Sequence, residues 1–481
     1  MLHKSLLLLV LGATTLPLTG CPGGGDGSGG GSLASSGSVV YLADQNTAGV
    51  SELFLASTGA KLNGPIVAGG NGVSSFALTP DKTAVVYIAD QTTAGVFELF
   101  EVNIATPGVS IKLNGTLVVG GDVTGFAITP DGTSVVYVAD QRTDQVFEVF
   151  RVLFSTPQAS TRLNPNLVAG GTVSQFALTS DSTKVVYIAD QDTDNVNELY
   201  QVAFVNPLNA TKLNVPLVAP KNVTDFVISP NGALATYRAD QNINGVFEIF
   251  AAPITGPGSA TSLNPPLAAP QSVASFAVTP DSTAIIYRAD QNVAGTIELF
   301  RVAFANPQVT TTLNGGLIAG GNVTGFTIAA NSSSVVYRAD QDTFGVFELF
   351  RVPLPPTTAA QKVNPDFAPP KTITGSAFAI TPDSVAAVYL ADQNVNTVVQ
   401  VYRVPFSSLH TATPPLNGAL VAGGNVKSFA VSPDSTLVFY LADQTTFGVT
   451  EFYAVNVGSP GTSSKLNGQL VPGGNVKAFT F

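Results

Sequence analysis

One polar signature recurs at fixed spacing in this 481-residue chain, Asp-Gln-x-x-x-Gly-x-x-Glu. Its Asp stands at 44, 90, 140, 190, 240, 290, 340, 392 and 443. Glu follows as Glu52, Glu98, Glu148, Glu198, Glu248, Glu298, Glu348 and Glu451, with Gln400 the exception. One chemistry open to such a pattern is cation binding, because alternate loop residues can turn their oxygens toward one point and a hard cation takes several oxygen ligands. Asp190, Asp192, Asp194 and Glu198 are the fullest set and define a possible Ca²⁺ site. Asp240, Asn242, Asn244 and Glu248 form a less charged version, and Ala48, Ala94, Ala294, Phe344 and Phe447 lose the fifth-position oxygen elsewhere. A second chemistry is glycoside cleavage by paired carboxylates. A pair present in almost every unit suits a turn better than a catalyst. There Asp would accept turn amides, Gly would take positive φ and Glu would satisfy nearby donors.

Arginine breaks the pattern in three consecutive copies, Arg238, Arg288 and Arg338, where the other six have Leu42, Ile88, Val138, Ile188, Leu390 and Leu441. Buried arginine must be paired, so the expected partners are Glu248, Glu298 and Glu348 of the neighbouring units. The functional alternative is a ligand site in which three adjacent cations hold a carboxylate or sugar acid.

Composition removes other chemistries. The chain has one Cys and two His, so cysteine clusters for zinc or iron–sulfur are excluded. His410 sits in a polar stretch beside Pro414-Pro415 and reads as a loop residue, not a member of a triad. A formal net charge of −11 argues against a nucleic-acid partner, which needs a basic face to displace counterions.

The first residues carry an address. Lys4 precedes an apolar run from Leu6 to Leu11, too short to span a bilayer, and Leu18-Thr19-Gly20-Cys21 follows. This resembles a bacterial lipoprotein signal, which implies removal of residues 1–20 and acylation of Cys21. Removal takes His3 and Lys4 and leaves a net charge of 20 − 32 = −12. Residues 21–38 are then a lipidated Cys and a Gly/Ser-rich stretch that reads as a flexible tether. The expected location is the cell envelope, at the outer membrane or cell surface in preference to the inner membrane.

Residues 39–481 repeat one unit nine times, at spacings of 46, 50, 50, 50, 50, 50, 52 and 51 between successive Asp residues of the signature. A period near fifty in a β-rich chain signals a propeller. Within one unit, 123–128 reads as a strand, Thr129-Pro130-Asp131-Gly132 as a turn, and 135–139 as a β-branched second strand. Residues 146–152 supply a third strand and 161–164 a short fourth. Val39-Val40-Tyr41 matches a second strand, and Val476 to Phe481 matches a first one. Together they complete one blade and remove an open edge. The expected fold is all-β, a single closed propeller of nine four-stranded blades, with eight blades as the alternative. Nine Asn residues, from Asn63 to Asn467, precede the passages between units and read as αL turn residues.

The Thr-Pro-Asp-Gly-Thr-Ser-Val-Val-Tyr-Val-Ala-Asp run, followed by Phe-Glu-Val-Phe, resembles the WD40-like PD40 repeat of TolB-type propellers. The likeness spans essentially residues 39–481. The loop from Asp190 to Glu198 also looks like Asp-rich calcium loops of some other propellers. The PD40 resemblance is specific for the fold and not for a function, whereas repeats in which no unit supplies an acid–base–nucleophile set read as a binding or scaffold module for an envelope protein or a glycan, anchored by lipid at Cys21 and not an enzyme. Its alternatives are a carboxylate-based carbohydrate-active enzyme and a purely structural coat protein.

Overall fold

The computed structural model describes residues 38–481 except Pro257, so the signal segment, Cys21 and nearly all of the tether lie outside the described residues. The described chain begins with β1 (Val40–Ala43) and β2 (Glu52–Leu55), continues through β3 (Val73–Leu78), β4 (Ala84–Ala89), β5 (Glu98–Asn103) and β6 (Ser110–Lys112), and repeats to β34 (Val476–Thr480). Nine antiparallel sheets result, each a meander in chain order, except that β34 joins β1 and β2. The fold is the expected nine-bladed propeller.

Two blades depart from four strands. In the closing blade the fourth strand shrinks to a single bridge between Phe54 and Lys61. The blade of β27 (Ile373–Ile380), β28 (Ala386–Ala391) and β29 (Gln400–Pro405) has three strands. Its fourth-strand position is occupied by Pro414-Pro415, which offers no N–H to a ladder.

Each second strand is buried on both faces, as in β4 and in β8 (Ser134–Ala139), because every sheet is sandwiched between two others. The core is correspondingly divided into nine apolar clusters, one at each blade-to-blade interface. Val86, Ile88 and Leu99 of one blade meet Val123, Phe126 and Tyr137 of the next. Phe439, Leu441 and Phe452 of the ninth blade meet Tyr41 and Val476 of the closing one. Nine interfaces for nine blades close the ring.

First strands of neighbouring blades approach one another, as β27 does β23 (Val323–Ile328) and β30 (Val426–Val431), so they form the inner wall. All of them start at the end of the ring that carries the Asp-Gln turns. At the opposite end the Thr-Pro-Asp turns are tied from blade to blade. Ser182, Ser282, Ser332 and Ser435 accept the amides of Asp131, Asn231, Asp281 and Asp383 at 3.0–3.1 Å.

The closing interface concentrates aromatic rings, with Phe452 stacked on Phe479 at 4.6 Å and fully buried. Phe452→Ala is expected to cost about 3–5 kcal/mol in urea denaturation. Phe447→Ala, at a ring left 68% exposed, should change stability by less than about 0.5 kcal/mol.

Candidate functional site

The Asp-Gln turn joins second to third strand, and its Asp is buried in every blade. Asp90 is completely buried and accepts three backbone amides, from Asn71 at 2.8 Å, Gly72 at 2.7 Å and Gly95 at 3.1 Å. The first two belong to the passage arriving from the previous blade, the third to the turn itself. Asp140, Asp240 and Asp340 repeat the arrangement with Asp122 and Gln145, Asn222 and Gly245, and Asn322 and Gly345. The residue five beyond the Asp has positive φ whether it is Gly49 (83°), Gln145 (65°), Asn195 (61°) or Thr397 (67°). The structural reading of the signature therefore holds.

Its Gln is equally committed. In all nine blades the Tyr four residues earlier donates its hydroxyl to the Gln Oε1 at 2.6–2.9 Å. All twelve tyrosines are buried, and burial pushes those of Tyr87 and Tyr137 up to about 12, so they remain neutral donors. The recurring Tyr-x-x-x-Gln spacing is the sequence signal that identifies this pair.

The Glu of the signature pairs with a cation on the short fourth strand of its own blade. Glu98 meets Lys112, Glu198 meets Lys212 and Glu451 meets Lys465, while Glu148 holds Arg162 at 2.7 Å and Glu348 holds Lys362 at 2.9 Å. The signal was a Lys or Arg two residues before the buried Asn, present in six units. Where it is missing, Glu248 takes Asn242 at 2.7 Å and the Leu267 amide at 3.0 Å.

The nine Asn residues are not αL turn residues, since none has positive φ. Eight are buried and Asn314 is partly so, and in all nine the Oδ1 accepts a third-strand amide at 2.7–3.0 Å. Their Nδ2 donates to the next residue's carbonyl, as Asn114 does to Gly115 at 2.8 Å. A buried amide that spends both ends on backbone extends the ladder past the last regular pair.

The Asp190 loop does not assemble the cation cage its spacing suggested. Asp190 spends its oxygens on the amides of Thr172 at 2.6 Å and Asn195 at 3.1 Å. Asp194 accepts from Asn195 Nδ2 at 2.8 Å. Asp192, 3.0 Å from Lys212 Nζ, and Glu198 share that ammonium, so a side-chain cation stands between them. Among the described residues no three His, Cys, Asp or Glu side chains converge as a metal set.

Arg238, Arg288 and Arg338 do not pair with Glu248, Glu298 and Glu348. They reach forward to the inner strand of the next blade. Arg238 donates to the carbonyls of Val273 at 3.0 Å and Ala274 at 2.9 Å and pairs with Asp225 at 2.7 Å. Arg288 donates to Ser275 Oγ at 2.9 Å and to the Val323 carbonyl at 3.2 Å. Arg338 donates to Thr324 Oγ1 at 2.8 Å and, through Nε and Nη2, to the Ile373 carbonyl at 3.1 and 2.8 Å. Strand alternation gave their neighbours inside a blade, whereas these contacts depend on the stagger between blades. His410 lies at the rim, half exposed, 3.1 Å from Asp366.

No protein-family model matches the chain, and no curated protein does. Solved structures do. The crystal structure of a eukaryotic initiation factor is 11% identical, with 92% of this chain and 98% of that chain covered and a TM-score of 0.56. Porphyromonas gingivalis dipeptidyl peptidase 4 is 12% identical with a TM-score of 0.52, and the match covers 71% of this chain and 52% of that one. At such identities the likeness establishes the fold alone.

Two outcomes follow from this geometry. Asp90→Ala strands three amides and is expected to cost about 3 kcal/mol or more by chemical denaturation. Lys212→Met leaves Glu198 buried without its cation and should lower the melting temperature. Millimolar Ca²⁺ should not restore it, and recovery would show that the loop takes the metal.

Proposed function

We propose that this chain is an exported, lipid-anchored propeller that binds an envelope protein or glycan and performs no chemistry of its own. The observation that carries the reading is the commitment of the recurring polar groups. The Asp carboxylates hold backbone amides, most Glu carboxylates hold fourth-strand cations, and the nine second-strand tyrosines are buried in pairs with Gln. What varies from blade to blade lies at turn tips and around the channel mouth, on a frame that does not need to change to accommodate it. A reacting site would set one blade apart with an acid, a base and a nucleophile together. Two polar departures in the repeats, the arginine trio and the Asp190 loop, assemble no such set, and Lys212 neutralises the second.

The direction of β1 supports a display role. β1 runs toward the Asp44 turn, so residue 38 enters at the opposite end of the ring, among the Thr-Pro-Asp turns. With Cys21 acylated, the Asp-Gln face is the one farther from the attachment point.

The reading is tested by expressing the full chain and its Cys21→Ala variant with a palmitate analogue that can be tagged. The parent should carry label and fractionate with membranes, and the variant should do neither. Equal membrane association of the two, without label, would overturn the anchor. The purified mature chain, immobilised and exposed to solubilised envelope, should enrich one partner over a charge-shuffled control domain. Turnover of a glycan substrate by that same chain would overturn the non-catalytic reading.

A further inference from the structure

The nine Asp-Gln turns share one geometry, yet their exposed tips divide the face in two. Counting the closing blade as the first, the fifth to ninth blades carry Ile243, Val293, Phe344, Val395 and Phe447 at the tip. These five side chains are 47–69% exposed. The first four blades have Thr47-Ala48, Thr93-Ala94, Thr143-Asp144 and Thr193-Asp194 there, all exposed.

The passage beside each tip follows the same division. In the third and fourth blades Gly120 and Gly170 lie against carboxylates, since an added Cβ would stand 2.9 and 2.6 Å from the Oδ1 atoms of Asp144 and Asp194. In the seventh and ninth blades the equivalent Gly320 and Gly423 lie against phenyl rings, where that Cβ would stand 3.1 and 3.0 Å from Cε2 of Phe344 and Phe447. The fifth, sixth and eighth blades place exposed Pro220, Pro270 and Pro370 at this position. Each of these blades packs directly on the next, so equivalent tips are neighbours along the ring. An isolated exposed side chain, such as Val119 on the other side, is ordinary, whereas a contiguous apolar series marks a contact surface.

Charge divides the same way. On the channel side of the apolar arc, Arg288 and Arg338 rest on the carbonyls of Val323 and Ile373, the first residues of the seventh and eighth inner strands. Lys427 follows the first residue of the ninth. Lys221 and Lys371 cap turn carbonyls of the fifth and eighth blades, Gln241 at 3.1 Å and Gln393 at 2.9 Å. None of these five cations has a carboxylate within ion-pair distance among the described residues. Asp225 already holds Arg238, and Asp342 and Asp366 hold Lys362. Glu248 and Glu298 lie toward the outer rim, against Asn242 and Asn292.

These features select among occupants. A second copy stacked on this face cannot match both properties. A two-fold axis that sets apolar arc on apolar arc also sets cation on cation, and one that sets cations on acids leaves apolar tips over Asp144 and Asp194. A flat anionic bilayer touching the tips would meet those two carboxylates at the equivalent positions, and the guanidiniums stand behind the tips on the inner strands. A polypeptide can lay apolar side chains over the tips and turn carboxylates inward to the mouth.

We propose that the arc of the fifth to ninth blades docks an acidic protein segment, whose apolar side chains cover the five tips and whose carboxylates meet the unpaired cations at the channel mouth. This specifies the chemistry of an envelope-protein partner and rests on the binding-module reading.

Fluorescence anisotropy with the purified mature chain and labelled synthetic peptides tests the proposal. The probe is a Glu-Leu-Glu-Phe repeat, compared with one peptide that has Lys for Glu and another that has Ser for Leu and Phe. The acidic apolar peptide should bind at least tenfold more tightly than either, and salt should weaken it. The chain's own charge of −11 favours the Lys peptide, so this order cannot arise from net charge. Phe344→Asp with Phe447→Asp installs the side chain that the third and fourth blades carry against the same glycine. The double variant should therefore melt like the parent and lose at least tenfold in affinity. Lys221→Gln with Lys371→Gln should weaken binding and flatten its salt dependence. Ala94→Asp, on the other side of this face, should leave binding unchanged. No binding by the folded parent, equal binding of the Lys or Ser peptide, or undiminished binding by the double Phe variant would overturn the surface. Tighter binding of phosphatidylglycerol vesicles or of polygalacturonate than of the peptide would overturn it in favour of a lipid surface or a glycan. If the double Phe variant still captures the partner that the parent captures from solubilised envelope, this surface falls and the module reading stands.

Discussion

A buried carboxylate that collects backbone amides from two directions governs how this chain moves from one blade to the next. The passage into each blade has no ladder of its own, so its amides need an acceptor. Asp90 and its eight counterparts supply one at the point where the passage crosses the turn between second and third strands. That single contact sets the height at which each inner strand begins. The Tyr–Gln pair, the Asn bracket and the Glu–Lys pair then fix the second, third and fourth strands relative to it. Apolar packing between sheets provides the driving force, but it is tolerant of sliding. The directional polar contacts turn that tolerance into one register.

The polar residues are thus distributed by distance from the channel. Next to the inner strand, carboxylates meet amides. At the rim, carboxylates meet lysines that remain 16–37% exposed and keep part of their hydration. Isolated rim pairs of this kind contribute modestly. Their greater effect is to keep the buried end of each Glu from being left uncompensated.

Most of the frame was legible in the sequence because repetition makes structure self-announcing. The nine Asp residues, the Gly that follows and the β-branched second strands fixed blade number and the role of the turn. The fourth strand of the eighth blade was lost to Pro414-Pro415, a local fact visible in the chain but outweighed by the repeat. The arginine partners were not legible, because alternation places Arg288 beside Ser275 but says nothing of Val323 in the following sheet. The Asp190 loop misled for a related reason. Its oxygens have calcium spacing, yet Asp190 and Asp194 are spent on amides, and the cation that meets Asp192 and Glu198 is Lys212, fourteen residues beyond Glu198 and brought in by the fourth strand. The irregular inner strand of the eighth blade was hidden in a period of 52 where 50 prevailed, and only its register shows where the two residues went, between Ile373 and Phe378.

The blade completed by β34 gives the molecule an unusual timetable. Ties between neighbouring blades span about one repeat, as from Asp131 to Ser182, but the Asn475 amide reaches Asp44 across 431 residues. Local units can therefore accumulate in any order, each adding a packed interface to the last. The final seam is different, since bringing together ends that far apart costs about 2 kcal/mol more chain entropy than joining adjacent units. Until it forms, the chain is an open spiral with one unpaired strand edge at each end. Two such spirals can satisfy each other's edges as readily as their own, so crowding during refolding favours exchanged pairs, and dilution favours the closed ring.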